Sequence, residues 1–334
     1  MRVAVIGSGS WGTAVAAMTA RHARTALWAR RPEVAASISS TRENADYLPG
    51  IELPDGVEAT ADLAAALDGV DVVVFAVPSH GFREIATTAS GLIGGGPVVV
   101  SLSKGIERGT GLRMTQICAE VLDVPTSRIG VLTGPNLARE IAVGQPAAAV
   151  VAVPDEGSAA TLQQLFMTPT FRVYTNPDVV GCESAGALKN VMAIAAGMAH
   201  GLGYGDNSKA ALVTRALAEL TRLGVALGGS PITFAGLAGM GDLVATCFSD
   251  QSRNRRVGVA LGRGQSLDDI VAEMNMVAEG VKTTEAVLEL AGAHGIDMPI
   301  ATMVGSVLYE GRQPADMVEG LMTRAAKAEM HGID

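Results

Sequence analysis

The chain opens MRVAVIGSGSWG, and this stretch constrains the fold more than any other. Arg2–Ile6 is a short apolar run that ends at Gly7, Gly9 and Gly12, a GxGxxG turn. An alanine-rich helix is predicted to follow, from about Ser10 to His22. Strand, glycine turn and helix in that order make the first unit of a dinucleotide-binding sheet. Gly7 permits the tight turn, Gly9 lets the backbone approach a pyrophosphate, and Gly12 allows close packing of helix on strand. The helix N-terminus then offers unpaired N–H groups to the anion. In isolation the pattern also suits a structural glycine turn. The strand and helix on either side favour the nucleotide.

The first half continues to alternate. Strands are expected at Thr25–Ala29, Asp71–Val77, Pro97–Leu102 and Arg128–Thr133, with Ala147–Val153 and Phe171–Tyr174 near the far edge. Helices fit Ala61–Leu67 and His80–Leu92. Continuous apolar strands separated by helices predict a parallel sheet covered on both faces. After Asn176-Pro177-Asp178 almost everything reads as helix, broken by GLGYGD at 201–206 and GLAGMGD at 236–242. The expected architecture is an α/β Rossmann-type domain over residues 1–180, followed by an all-α domain over 181–334.

Composition narrows the function. With 34 acidic and 25 basic residues the net charge is −9, so no basic stripe exists to track a nucleic-acid backbone. Apolar runs such as Val72–Val77 and Ala147–Val153 are strand-length, short of the ~18–20 residues of a spanning helix. The opening run gives way to glycine after one short apolar stretch and does not read as a signal peptide. Cys118, Cys182 and Cys247 are far apart and lack metal-ligand spacing, so reduced thiols in a cytoplasmic protein, with no metal, are expected. Five lysines stand among the basic residues, against twenty arginines. Arginine does not release its proton near neutrality, whereas a desolvated lysine does, so a lysine kept in an apolar segment is notable.

Arg30 and Arg31 end the second strand, 18 and 19 residues after Gly12. Positive charge there suits the 2′-phosphate of NADP, where NAD-preferring enzymes often carry Asp or Glu; a solvated arginine pair is the alternative. Lys104, in SLSKG, emerges at the C-terminal end of a strand, where ligands bind open α/β sheets. Thr133-Gly134-Pro135-Asn136 occupies the same kind of place. Lys189 and Asn190 interrupt the apolar helix GALKNVMAIAAGM. Snorkelling and a buried polar pocket explain Lys189 equally well.

Taken in order, VIGSGSWGTA (5–14), VPSH (77–80), SKGIE (103–107), GPNLAREIA (134–142), GALKNVMAIAAGM (186–198), GDNSKAALVTRAL (205–217), GMGDLVATC (239–247), QSRNRRVG (251–258) and VAEGVKTT (277–284) resemble the bacterial NAD(P)-dependent sn-glycerol-3-phosphate dehydrogenase family along nearly the whole chain. The resemblance implies a 6-phosphogluconate-dehydrogenase-like pair of domains in a cytoplasmic homodimer. It implies interconversion of dihydroxyacetone phosphate and sn-glycerol 3-phosphate for phospholipid synthesis, with NADP or NAD as cofactor. It places Ser10, Trp11, Arg30, Arg31, Lys104, Ala138, Arg253, Val277 and Glu279 at the cofactor. Lys104, Gly134, Asn136, Asp242, Ser252, Arg253 and Asn254 fall at the substrate, and Lys189 at the catalytic centre. Two positions depart from the family: Asn136 stands where many relatives have Ser or Thr, and Ser184-Ala185 replaces a more apolar pair.

The chemistry these residues offer is consistent with that implication. Hydride transfer at C2 needs one group to carry the proton of the C2 oxygen, ideally with a pKa near the working pH. Lys189, with Asn190 beside it, is expected to titrate low through desolvation and repulsion from Lys104. Lys104 is expected to polarise the carbonyl, and Asp242 to accept hydrogen bonds from lysine or substrate, with helix capping as its alternative role. Ser252, Arg253 and Asn254 offer donors to a phosphate, and Arg255 and Arg256 supply background charge. A lysine-base 3-hydroxyacid or 6-phosphogluconate-type dehydrogenase, or a non-catalytic NADP-binding regulator, are the rival readings.

Overall fold

Val3, Ala4, Val5 and Ile6 are wholly buried in strand β1 (Arg2–Ile6), an interior strand of an eight-stranded sheet. The structure is a computed structural model that describes residues 1–274, 278–326 and 328–329. The chain divides into two compact units, Met1–Ser103 with Arg113–Val179, and Lys104–Leu112 with Val180–Asp334. The first expected domain, 1–180, is thus interrupted: residues 104–112 group with the helical unit. Ile106 packs there with Ala187, Ala286 and Leu290, and Arg108 pairs with Glu285 at 2.5 Å.

In the first unit the strands after β1 are β2 (Arg24–Trp28), β3 (Glu43–Asn44), β4 (Leu48–Glu52), β5 (Val57–Thr60), β6 (Val72–Phe75), β7 (Val98–Ser101), β8 (Ile129–Thr133), β9 (Ala147–Ala152) and β10 (Phe171–Asn176). The sheet runs β10-β9-β8-β7-β6-β1-β2-β5, with β3 and β4 a separate antiparallel pair. Strand order reverses about β1, and the glycine turn lies at that switch, where such sheets bind ligands. The sheet is not uniformly parallel: β9 runs antiparallel to β8, with Val131 opposite Ala152. β5 and the β3–β4 pair were not expected, because they are short and mostly half-exposed or exposed, without the continuous apolar run of a central strand.

In the second unit the Val179–Gly201 helix buries eighteen consecutive residues, Gly181 to Met198. It and Pro231–Phe248 are long and apolar enough to cross a membrane, which the strand-length runs had not indicated. The most apolar window of the first is 89% buried inside the protein, so that helix is a core element. Against it lies the Arg253–Gly262 helix. A Cβ on Gly197 would meet the Arg255 carbonyl oxygen at 2.1 Å, and one on Gly258 would meet that of Ile194 at 2.0 Å. Backbone therefore rests on backbone at this crossing, which glycine alone allows. The GLAGMGD stretch is not a loose turn between helices. Leu237–Gly241 forms a π-helical turn that passes directly into the Asp242–Phe248 helix. All three cysteines are free and buried.

Candidate active site

The glycine turn has the geometry a dinucleotide requires. Gly7 has φ +119°, and a Cβ there would meet the Ala76 carbonyl oxygen at 2.6 Å; one on Gly12 would meet the Gly7 oxygen at 2.0 Å. Over Gly9, the N-cap of the Ser10–Thr19 helix, nothing lies within 4 Å. No acidic residue occupies that helix's first turn, so its N–H groups and dipole are left for an anion. Ser10 is engaged through Oγ, which donates to the Tyr47 carbonyl at 2.6 Å. The buried indole Nε1 of Trp11 and both amide atoms of Asn136 have no protein hydrogen-bond partner, a state that buried polar groups rarely keep. These features fit NAD or NADP. Gly134, φ +130°, follows β8 and sits against Ala149; Ala138 begins the short Ala138–Ala142 helix. Arg30 and Arg31 are exposed at the end of β2. Arg31 pairs with Asp46 at 2.7 Å.

In the helical unit one carboxylate holds two ammonium groups. Asp242 accepts from Lys104 Nζ through Oδ2 and from Lys189 Nζ through Oδ1, each at 2.6 Å. Asp242 is 2% exposed and lies inside the first turn of its helix, whose N-cap is Gly241, so it does not cap. Lys189 also donates to Thr246 Oγ1, whose hydroxyl donates to the Asp242 carbonyl at 2.6 Å. Burial pushes the Lys189 ammonium down to about 8; Asp242 opposes the shift and Lys104 adds to it. Its stem does not snorkel, because the side chain is enclosed. Burial likewise pushes the Cys247 thiol up to about 12, which leaves it an unreactive neighbour. Thr246 escaped the sequence reading, although its place one helical turn after Asp242 was a signal.

Around this centre Asn190 Nδ2 donates to the Lys104 carbonyl at 3.0 Å, and Asn190 Oδ1 accepts from Asn254 Nδ2 at 3.0 Å. Asn254 Oδ1 in turn accepts from Gly280 N at 2.9 Å. Asn254 therefore ties helices together through both ends of its amide. Ser252 caps the Arg253–Gly262 helix, its Oγ accepting from Arg255 N. Arg253 is exposed at the first position of that helix, within the field of Glu279. Arg255 is buried and paired with Asp250. Val277 lies outside the described residues.

A dinucleotide-type sheet joined to a helical unit with a lysine–carboxylate–lysine cluster defines the architecture of a two-domain nucleotide-dependent dehydrogenase. Comparison with known proteins makes the family explicit. Residues 2–159 match the model of the NAD-dependent glycerol-3-phosphate dehydrogenase N-terminus, and 178–319 that of its C-terminus. A Thermobifida fusca protein named glycerol-3-phosphate dehydrogenase (NAD(P)+) is 54% identical over 334 residues, 99% of each chain. A Streptomyces coelicolor protein of the same name is 52% identical over 98% of each. The crystal structure of glycerol-3-phosphate dehydrogenase from Coxiella burnetii superposes with TM-score 0.92 at 37% identity, covering 97% of this chain and 99% of that one. A Ralstonia eutropha ketopantoate reductase, 18% identical with TM-score 0.59, shares the fold alone. The chain belongs to the NAD-dependent glycerol-3-phosphate dehydrogenase family.

Proposed function

We propose that the protein interconverts dihydroxyacetone phosphate and sn-glycerol 3-phosphate with NADP or NAD, and that Lys189 carries the proton of the C2 oxygen. The bridging of Lys104 and Lys189 by Asp242 carries this reading. When bound, the nicotinamide supplies or takes up the hydride. Gly7, Gly9, Gly12, Ser10 and Trp11 would hold the cofactor, with Arg30 and Arg31 toward a 2′-phosphate, which favours NADP. Ala138, Arg253 and Glu279 would complete its binding.

An ammonium that titrates near 8 gives its proton to the developing C2 alkoxide in reduction and recovers one in oxidation. Lys104, on the other carboxylate oxygen, supplies positive charge to the substrate oxygen. Asp242 orients both ammonium groups, and Thr246 and Asn190 fix the lysine and the Lys104 backbone in turn. Because Ser252 and Asn254 are engaged as cap and tie, phosphate recognition falls mainly to Arg253 at a helix N-terminus. Gly134 and Asn136 are assigned to substrate binding as well. The same reading carries a cytoplasmic homodimer that feeds phospholipid synthesis, and sedimentation at assay concentration tests the dimer.

The test is oxidation of NADPH and NADH with dihydroxyacetone phosphate, set beside 3-oxoacids, ribulose 5-phosphate with bicarbonate, and 2-ketopantoate. Turnover of dihydroxyacetone phosphate alone is expected. Preferential turnover of any other, or cofactor binding without turnover of any, overturns the assignment.

A further inference from the structure

We propose that Asp46 sets the cofactor preference of this protein, by competing with the 2′-phosphate of NADPH for the guanidinium of Arg31. This rests on the reading that Arg30 and Arg31 face the adenosine 2′-position. Asp46 Oδ2 accepts from Arg31 Nη2 at 2.7 Å, and Glu33 Oε1 lies 3.8 Å from Arg31 Nε. The guanidinium also lies over the Tyr47 ring, 5.9 Å from its centroid. No carboxylate pairs with Arg30 among the described residues. Of the two arginines that follow β2, one is therefore already paired with a carboxylate.

Asp46 is not a loosely placed surface acid. It sits in the turn between β3 and β4, and that turn is fastened to the glycine loop on both sides of it. Asn44, 2% exposed, donates through Nδ2 to the Ser8 carbonyl at 2.8 Å and to Thr13 Oγ1 at 2.7 Å. Ser10 Oγ donates to the carbonyl of Tyr47. Arg31 is held from its own side, as the N-cap of the Pro32–Thr41 helix with Pro32 following. Carboxylate and guanidinium are thus presented to each other by two fixed segments of backbone, next to the turn that would take the pyrophosphate.

A phosphate dianion binds arginine more strongly than a carboxylate does, and in the same fork geometry. The Arg31–Asp46 pair is about half exposed on both sides, and such pairs are weak. NADPH can therefore displace Asp46 at a small loss of affinity, while NADH, without the phosphate, leaves the pair intact. The consequence is to narrow the gap between the two cofactors and keep both in use.

The experiment measures dissociation constants of NADPH, NADH and the fragment 2′,5′-ADP for the native protein, Asp46→Asn, Arg31→Ala, Arg30→Ala and the double variant Asp46→Asn/Arg31→Ala. Asp46→Asn is expected to tighten NADPH and 2′,5′-ADP about two- to fivefold and leave NADH unchanged. The gain should vanish in the Arg31→Ala background, as coupling requires. If neither arginine variant weakens NADPH selectively, the 2′-phosphate reading falls and the proposal with it. If Arg31→Ala weakens NADPH selectively but Asp46→Asn does not tighten it, the proposal alone falls. Equal shifts for NADH and NADPH would make Asp46 a brace of the glycine loop and overturn it as well.

Discussion

Lys189 concentrates the chemistry that the proposed function demands. Replacing it with Ala should lower kcat at least 10²-fold, the usual scale of a general acid–base group, while NADPH affinity stays within a few-fold. Lys189→Arg should fail as well, because a guanidinium keeps its proton. With a pKa of about 8, ketone reduction needs the charged form and should fall as pH rises through 8, whereas alcohol oxidation should rise through the same point. A pH–rate profile in both directions checks the sign. Arg253→Ala should raise the KM for dihydroxyacetone phosphate roughly tenfold to a hundredfold, as loss of an ionic hydrogen bond would. Arg256→Ala is the control, since Arg256 is an exposed arginine on the same helix; equal effects would remove Arg253 from the phosphate. At this scale the sequence was partly legible. A chain with five lysines draws the eye to Lys104 and Lys189. That one carboxylate joins them was not visible, because Asp242 lies 138 and 53 residues away and no local pattern spans such distances.

Among the elements, the Pro299–Tyr309 helix is held by a buried acid. Glu219 is 2% exposed and accepts from Ile300 N at 2.8 Å and Ala301 N at 3.3 Å. Burial nevertheless pushes its carboxyl up to about 7; the two N–H groups and Arg222 oppose the shift, and Asp297 adds to it. The folded state therefore binds this proton more tightly than the unfolded chain. The associated stability, on the order of 3–4 kcal/mol, is complete below about pH 4.3 and is lost as pH rises through 7. Glu219→Gln should flatten that part of the stability curve, measured by urea denaturation between pH 5 and 8; an unchanged slope would assign it to another group. Gly258→Ala tests the glycine crossing. Its methyl would meet the Ile194 carbonyl, so the helices must part, at about 1–3 kcal/mol, and the Asn190–Asn254 bond should weaken with them. A lower Tm together with a raised substrate KM is expected; a lower Tm alone would uncouple the crossing from the site. Elements were legible where burial repeats in sequence. Val72–Phe75 and Val98–Ser101 declare themselves as buried strands, while Val57–Thr60 at the sheet edge does not. The break expected at GLAGMGD was misplaced, because its glycines form a π-helical turn that runs straight into the Asp242–Phe248 helix.

For the molecule as a whole, the order of the parts could be read from the change of pattern after Asn176-Pro177-Asp178, but the path between them could not. Ile106 in a short polar segment gives no hint that its partners are Ala187, Ala286 and Leu290. The chain passes from the first unit to the second at residue 104, returns at 113, and leaves again at 180. That excursion has a consequence for how the protein is born. Chains emerge from the ribosome at roughly 5–20 residues per second, and domains tend to fold as units in order of synthesis. Residue 104 is thus released on the order of ten seconds or more before residue 290. Throughout that interval the segment is without its permanent neighbours, which have yet to be made. Lys104 is among the earlier residues synthesised and among the later ones placed, so a nascent chain can complete its nucleotide fold while its proposed reaction centre is still half unbuilt.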